Sequence, residues 1–213
     1  MTKLKCILSL TIIALVSSFS SFAADATSDG WVSLFNGKDK TQWRPQFAGK
    51  DGWIVKDGIL INILPSGDII SNIPQGDCEM HVEFMVPKGS NSGIYLQGRY
   101  EIQVLDSAGF PVQNTISGAI YGMIAPKVNA AKPAGEWQTF DVIFHQAVLD
   151  ATGKKIKNAR VTIVYNGIKA IDDAELDRPT PAGVDDKEGK PAGLMLQGDH
   201  GPVQFRSIKI RPL

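Results

Sequence analysis

The sequence predicts an all-β sandwich, and three of its features carry that prediction. Glycine and proline occur 21 and 12 times among the 213 residues, and they interrupt the chain at short intervals. Between them lie short runs in which apolar and polar residues alternate, as they do in half-buried strands. Beyond the first two dozen residues, no sustained apolar repeat of 3.6 residues indicates a helix. Many short strands with regular turn signals are typical of two packed antiparallel sheets.

The alternation predicts thirteen strands, and two turns predict how neighbouring strands pair. Asn166-Gly167 is the strongest hairpin signal in the chain, because both residue types accept the positive φ angles of a type I′ turn. The KDGIL stretch, Lys56–Leu60, predicts a second hairpin. The predicted strands are Trp31–Asn36, Gly52–Lys56, Ile59–Leu64, Asp68–Ser71, Cys78–Val86, Gly93–Gln97, Tyr100–Leu105, Ile116–Ile124, Trp137–His145, Arg160–Tyr165, Ile168–Ile171, Gly193–Gln197 and Val203–Ile210.

Two irregular segments stand out in this pattern. In the last predicted strand the apolar positions change from odd to even numbers, and a β-bulge near Arg206-Ser207 would reconcile the two halves. The stretch Asp172–Pro191 is charged and rich in proline and glycine. It is predicted to form one long loop, and loops of that length in compact domains usually have a function.

The N-terminus has the organisation of a secretory signal peptide. Lys3 and Lys5 precede an apolar run, Ile7–Val16, and the small-residue site Ser21-Phe22-Ala23 follows it. A charged segment, a short apolar segment and a small-x-small site in that order mark a cleavable export signal. We expect cleavage after Ala23, a periplasmic or secreted protein, and one mature domain comprising residues 24–213.

Composition argues against several classes of partner. Without residues 1–23 the chain has 20 basic and 22 acidic residues, a net charge of −2. Such a balance gives no electrostatic basis for binding nucleic acid or an anionic membrane. Cys78 is then the only cysteine, so no intrachain disulfide can form, and we expect it to act as a small buried hydrophobe. The sequence does not indicate the oligomeric state.

The stretch NSGIYLQGRYEIQVLDS, residues 91–107, carries the first candidate site. Taking every second residue gives Gln97, Arg99, Glu101 and Gln103, opposite the apolar set Ile94, Leu96, Tyr100, Ile102 and Val104. Planar groups with two hydrogen-bonding atoms suit the fixed hydroxyls of a sugar. Positions two apart on a strand are about 6.6–7 Å apart, so the row has the reach of a disaccharide. The alternative is a solvated face with a weak Arg99–Glu101 pair.

A second cluster lies in GLMLQGDHGPVQFRSIKI, residues 193–210. Gln197, Asp199, His200 and Arg206 surround a turn bounded by glycines. Histidine is the side chain suited to proton transfer near neutral pH, and an adjacent carboxylate can orient it. The sequence has no Cys/His spacing typical of zinc and no phosphate-binding loop, so no cofactor is predicted. A divalent metal held by Glu101, His200 and a nearby aspartate stays open.

Five segments in order resemble the 3-keto-disaccharide hydrolase domain family. They are WVSLFNGKDKTQW, DGWIVKDGIL, NSGIYLQGRYEIQVLDS, GAIYGMIAPKVNAAKPAGEW and GLMLQGDHGPVQFRSIKI, and together they extend from Trp31 to Pro212. The resemblance implies a concanavalin-like jelly roll of two antiparallel sheets. It also implies an exported bacterial protein that acts on small carbohydrates oxidised at carbon 3.

The resemblance transfers to particular positions of this chain. The YE-x-Q strand of the family falls on Tyr100, Glu101 and Gln103, and its GAIYG segment includes Tyr121. Its LQ…DHG turn falls on Gln197, Asp199, His200 and Gly201. At Phe205-Arg206 the family commonly continues with Asn, and this chain has Ser207 instead; Gln138 likewise replaces Asn after Trp137.

The implied chemistry begins with removal of the C2 proton, which a neighbouring ketone acidifies. Glu101 or His200, with Asp199 beside it, would be the base and the other would protonate the leaving oxygen. Arg99 or Arg206 would stabilise the enolate, while Gln97, Gln103, Tyr121 and Gln197 would bind the sugar. Three alternatives stay open: direct hydrolysis of the 3-keto-glycoside without elimination, a carbohydrate-binding module without turnover, and an ordinary glycosidase pairing Glu101 with Asp106 or Asp199.

Overall fold

The computed structural model of the protein describes residues 29–213, and the regular structure within that range consists of strands. The predicted signal peptide lies outside the described residues. In chain order the strands are β1 (Val32–Phe35), β2 (Trp43–Pro45), β3 (Trp53–Lys56), β4 (Ile59–Asn62), β5 (Ile69–Gln75), β6 (Cys78–Met85), β7 (Asn91–Leu96), β8 (Tyr100–Leu105), β9 (Trp137–His145), β10 (Val148–Leu149), β11 (Lys155–Lys157), β12 (Ala159–Tyr165), β13 (Ile168–Leu176), β14 (Ala192–Leu196) and β15 (Gln204–Pro212).

The strands form a sandwich of two antiparallel sheets, which confirms the predicted jelly-roll class. One sheet has the order β13-β12-β9-β6-β15-β4-β3, and β1 adds to it by pairing with β15. The other has the order β2-β5-β14-β7-β8, and a small β10-β11 ribbon stands apart. In both large sheets a strand from late in the sequence lies between earlier ones. The outer face of the five-stranded sheet, the side turned away from the other sheet, is called the outer face below.

The core fills the space between the two sheets because the strands alternate as the sequence predicts. In β6 every second side chain is buried, beginning with Cys78. Phe84 stacks on Phe140 with ring centroids 4.7 Å apart, and Tyr165 lies 4.6 Å from Phe140. The Tyr165 hydroxyl donates to the Gln138 Oε1 atom across 2.5 Å, so this buried phenol has a polar partner.

The two predicted hairpins are present and have the expected backbone. Asn166 and Gly167 have φ angles of 48° and 80°, and they join β12 to β13. Asp57 and Gly58 have φ angles of 52° and 76° between β3 and β4. The predicted bulge is also found, because the β15–β6 register shifts between Phe205 and Ser207.

Some element boundaries differ from the prediction. β13 continues to Leu176, so the predicted Asp172–Pro191 loop is wrong at its start and begins only after that strand. The Ile116–Ile124 segment is not a regular strand: it makes two isolated bridges, at Ile120, while bonding along the edge of β8. The short strands β2, β10 and β11 were not predicted, because two or three residues carry no readable alternation.

Candidate functional site

Glu101 and Tyr95 lie side by side on the outer face. The two residues are direct partners in the β7–β8 register, so their side chains leave the sheet on the same side. Tyr95 belongs to a small apolar cluster with Ile70 and Met195 that is separate from the core. Its hydroxyl donates to Glu101 Oε2 across 2.9 Å. Glu101 is 4% exposed, so its carboxyl group is largely removed from water.

Gly93 makes room for this pair. A Cβ atom at Gly93 would lie 2.5 Å from Glu101 Oε1 and 2.9 Å from the Tyr95 ring. Both distances are shorter than any van der Waals contact, so only a residue without a side chain allows the carboxyl group and the ring to lean over this strand. Gly93 is therefore part of the site.

The surroundings of Glu101 raise its pKa to about 7. Loss of solvation on burial is the largest cause. The hydrogen bond from Tyr95 and the charge of His200 lower the pKa, and the charge of Asp68 raises it further. A carboxyl group that titrates near neutral pH can accept or release a proton under ordinary conditions.

The Asp199–His200 turn is held rigidly at the end of β14. The buried Asn62 side chain donates from Nδ2 to the carbonyl oxygens of Gly198 and Gly201, across 2.8 and 2.9 Å. The His200 Nδ1 and Asp199 Oδ1 atoms lie 2.5 Å apart. Both side chains are about half exposed.

Asp68 connects this turn to Glu101. Its Oδ1 atom accepts the N–H of Gly198 across 2.9 Å, while the burial of its carboxyl group raises its pKa. The charges of Asp199 and His200 act on Asp68, and those of Asp68 and His200 act on Glu101. The structure thus brings Glu101, Asp199 and His200, the three predicted catalytic residues, into one electrostatic group.

Three predicted binding residues adjoin this group. Gln197 donates its backbone N–H to the carbonyl of Gly93 across 2.9 Å, and Gln103 is the β8 partner of Gly93. Tyr121 donates its N–H to the carbonyl of Glu101 across 3.1 Å, which places it beside Glu101 at the edge of the sheet. Gln103 and Gln197 are buried, and Tyr121 is half-buried.

Gln97 and Arg99 do not belong to the predicted row, because the chain turns there. Gln97 has a φ of 52° in the three-residue turn between β7 and β8, and its Nε2 atom donates to the carbonyl of Gln75. Arg99 is 3% exposed, and its Nε atom donates to Asp185 Oδ1 across 2.7 Å. Alternation holds only inside a strand, so the turn ends the shared face.

Arg206 lies on the other side of the molecule. The bulge turns its side chain onto the outer surface of the eight-stranded sheet, where it pairs with Glu83 and stacks over the ring of Trp137 at 4.6 Å. Neither predicted arginine is therefore available to a sugar at Glu101. The sequence showed the bulge but not the direction in which it turns Arg206.

Sequence reasoning missed Tyr95, Asp68 and the role of Gly93. Tyr95 has the same odd-numbered phase as Glu101, so strict alternation would have included it. Asp68 is distant in sequence and gave no signal, because its contact with Gly198 depends on the β5–β14 pairing.

Among residues 29–213, no group of three or more His, Cys, Asp or Glu side chains is close enough together to hold a metal ion. The same range contains no helix of the length and apolarity needed to cross a bilayer.

Residues 30–211 match the family described as the 3-keto-alpha-glucoside-1,2-lyase-like domain. The chain belongs to this family. The match includes Glu101, the Asp199–His200 turn and both large sheets, so the 3-keto-alpha-glucoside-1,2-lyase-like domain accounts for essentially the whole described structure.

Relatives of this chain match it over well over half of its length. A protein of Bacteroides thetaiotaomicron named 3-keto-disaccharide hydrolase is 26% identical over 172 residues, and the match spans 62% of this chain and 59% of that protein. A crystal structure of a proposed glycosyl hydrolase from Parabacteroides distasonis has 32% identity and a TM-score of 0.78, covering 87% of this chain and 84% of the other. Another from that organism, at 21% identity, shares the fold with a TM-score of 0.67, covering 87% and 94%.

Proposed function

We propose that this protein is an exported enzyme that cleaves glycosides oxidised at carbon 3 of the sugar. The observation that carries the proposal is a buried carboxyl group, Glu101, whose pKa of about 7 suits proton abstraction near neutrality. Family membership and the name of the Bacteroides relative support a 3-keto-glycoside as substrate. The fold alone would not, because this fold serves several functions.

In the first step the Glu101 carboxylate removes the C2 proton of the sugar. The ketone at carbon 3 acidifies that proton, since the electron pair of the broken C–H bond is delocalised onto the carbonyl oxygen. Burial raises the pKa of Glu101, and a higher pKa makes its carboxylate a stronger base. The Tyr95 hydroxyl orients the carboxyl group by donating to Oε2.

In the second step the electron pair re-forms the carbonyl, a C1–C2 double bond appears and the C1–O bond breaks. His200 donates a proton to the departing glycosidic oxygen, and Asp199 holds the imidazole by its Nδ1 atom. Water then adds to C1 and a proton returns to C2, so the net reaction is hydrolysis. General acid–base assistance of this kind is worth about 10²–10⁴-fold in rate.

The enolate oxygen needs a hydrogen-bond donor that neither arginine supplies. Arg99 is bound to Asp185, and Arg206 to Glu83 on the far sheet. Tyr121 stands next to Glu101 through its backbone bond, and we assign its hydroxyl to this role. A neutral donor at a developing negative charge is a common substitute for a cation.

Replacing Glu101 tests the proposal directly. With 3-keto-trehalose and 3-keto-sucrose as substrates, Glu101→Gln should lower kcat by at least about 100-fold while sugar binding persists, because the amide cannot accept the proton. Glu79→Gln, on the outer surface of the eight-stranded sheet, is the matched control and should retain full activity. Deuterium at C2 of the substrate should slow the wild-type enzyme.

Other results would identify a different function. Binding of every oxidised disaccharide without turnover would make the protein a carbohydrate-binding module. Equal turnover of unoxidised trehalose would favour an ordinary glycosidase. Repeating the assay with a chelator tests whether a divalent metal assists, and N-terminal sequencing of the protein recovered from its native host tests export and cleavage after Ala23.

A further inference from the structure

A pocket of about 420 Å³ lies on the outer face, to one side of the Glu101 group. It is lined by β2 and the turn after it, by Ile70 and Gly193, and by Val184 and Asp185 of the loop between β13 and β14. Its volume falls within the range of small-molecule sites in proteins. No step of the proposed reaction uses it.

The strand registers align this pocket with Glu101. Arg44 pairs with Ile70, Ile70 with Met195, Met195 with Tyr95, and Tyr95 with Glu101. These residues form one row across five strands, and three strand spacings separate Ile70 from Glu101 by roughly 14 Å. Gln46 also donates its N–H to the carbonyl of Asp68 across 2.8 Å, so the turn that lines the pocket is bonded to the residue beside the Glu101 group.

The lining has the composition of a sugar site. Phe47 is 60% exposed at the rim, and an aromatic ring left in water next to a polar pocket offers a flat surface to a pyranose. Arg44 is exposed and has no ion-pair partner within residues 29–213. Asp185 stays ionised because its hydrogen bond with Arg99 lowers its pKa. Because Arg99 already compensates the charge of Asp185, the planar guanidinium group of Arg44 is the group that can donate hydrogen bonds to the hydroxyl groups of a sugar.

We propose that this pocket binds the part of the glycoside beyond the bond that is cleaved, a neutral hexose unit that stacks on Phe47 and hydrogen-bonds to Arg44 and Gln46. The assignment to substrate rests on the proposed function. Val184, which packs over Ile70, Tyr95 and Met195, forms the boundary between this pocket and Glu101. The ligand would cross this boundary beside Asp68.

Binding can be measured without turnover, by titrating ¹⁵N-labelled protein with unoxidised trehalose and sucrose. We expect saturable shifts of the backbone amides of Phe47, Val184 and Gly193 with at least one sugar. Phe47→Ala should weaken that binding by about tenfold, since an aromatic contact is lost. Phe110→Ala removes another exposed ring, 52% exposed and outside the pocket lining, and should change nothing. Arg44→Ala should also weaken binding.

The kinetic constants separate this proposal from the proposed function. If 3-keto-trehalose is the better-bound substrate, Phe47→Ala should raise its KM with little change in kcat, because the contact is remote from the reacting atoms. If Phe47→Ala turns over 3-keto-trehalose with an unchanged KM, the proposed binding site is contradicted. The absence of a saturable shift at the three amides in the wild-type protein would contradict it as well. Saturable shifts without turnover would keep the site and remove the enzymatic role.

Discussion

At the scale of single residues, burial of the Glu101 carboxyl group lowers the stability of the protein as the pH rises. Its pKa rises from 4.5 in the unfolded chain to about 7 in the folded protein. The folded state therefore holds this proton more tightly, and its stability falls as the pH increases from about 4.5 to about 7. Above that window the full cost of a buried carboxylate is present, a pattern found at active sites that trade stability for function.

Glu101→Gln should therefore stabilise the protein at alkaline pH while it abolishes turnover. The amide stays neutral, so the gain in unfolding free energy should be near zero at pH 4.5 and up to about 3 kcal/mol at pH 8. Urea unfolding of both proteins at the two pH values measures it. An equal effect at both pH values would contradict the raised pKa of Glu101.

Gly93→Ala should damage the site more than the fold. The new methyl group meets the Glu101 carboxyl group and the Tyr95 ring, and displacing a catalytic group by about 1 Å can cost 100-fold in rate. The cost in stability should be about 1–3 kcal/mol, as for other overpacked positions. Gly76→Ala is the control: its Cβ meets nothing closer than 3.8 Å. Unchanged kcat in Gly93→Ala would contradict the placement of Glu101.

At this scale, the sequence could predict which side chains share one face of a strand. The shared face of Glu101 and Gln103 was predictable because alternation holds within β8. Gln97 and Arg99 do not share that face, because the turn between β7 and β8 gives Gln97 and Gly98 positive φ angles and the alternation ends there. Asp68 depended on a contact 130 residues away in sequence, which no local pattern contains.

At the scale of elements, the turn from Gly198 to Gly201 is positioned by a residue on another strand. Asn62 ends β4, and its single amide group satisfies two carbonyl oxygens of the turn. Ser90 adds a hydrogen bond to the carbonyl of Pro202. The backbone on both sides of the half-exposed His200 is therefore held in place, as the proposed role of His200 as an acid requires.

Asn62→Ala should loosen this turn. Two buried carbonyl groups lose their donor, so we expect a loss of about 1–3 kcal/mol in unfolding free energy and at least a tenfold fall in kcat. Asn72→Ala is a suitable control, because the exposed Asn72 side chain donates one bond to Thr41 and should cost less than about 0.5 kcal/mol. Chemical denaturation and steady-state kinetics measure both variants, and equal losses in the two would contradict a special role for Asn62.

Hairpins and loops differed in how far the sequence could define them. Asn166-Gly167 and Asp57-Gly58 encode their backbone angles locally, so both hairpins were predictable. The start of the loop after β13 was not, because Asp172 and Asp173 lie where the β12–β13 register shifts, and pairing with β12 resumes at Ala174. Neighbouring strands, and not local composition, decide where such a strand ends.

At the scale of the whole molecule, the two sheets bury a common core in which Cys78 is 2% exposed. Cys78 is paired with Pro212 of β15 and with Phe144 of β9. Burial raises the pKa of its thiol to about 12.

The fold class was predictable because it follows from the summed pattern of many strands, whereas the strand order depends on long-range pairing.

Cys78 should therefore react only when the whole domain unfolds. At pH 8 we expect alkylation by iodoacetamide, located by mass spectrometry, to be negligible in the native protein, since the thiolate is the reactive form. In urea the labelled fraction should follow the global unfolding curve measured by tryptophan fluorescence. Labelling that precedes this curve would reveal a local opening of β6 from β15.

The position of β15 also affects the order in which the larger sheet can form. This strand follows all other described strands in the sequence, yet it occupies the middle of the larger sheet, between β6 and β4, and gives β1 its partner. Because β15 has partners on both sides, the larger sheet can complete its hydrogen bonds only after this strand has been synthesised. Native pairing of the sheet therefore follows translation of β15 and cannot be completed strand by strand in sequence order.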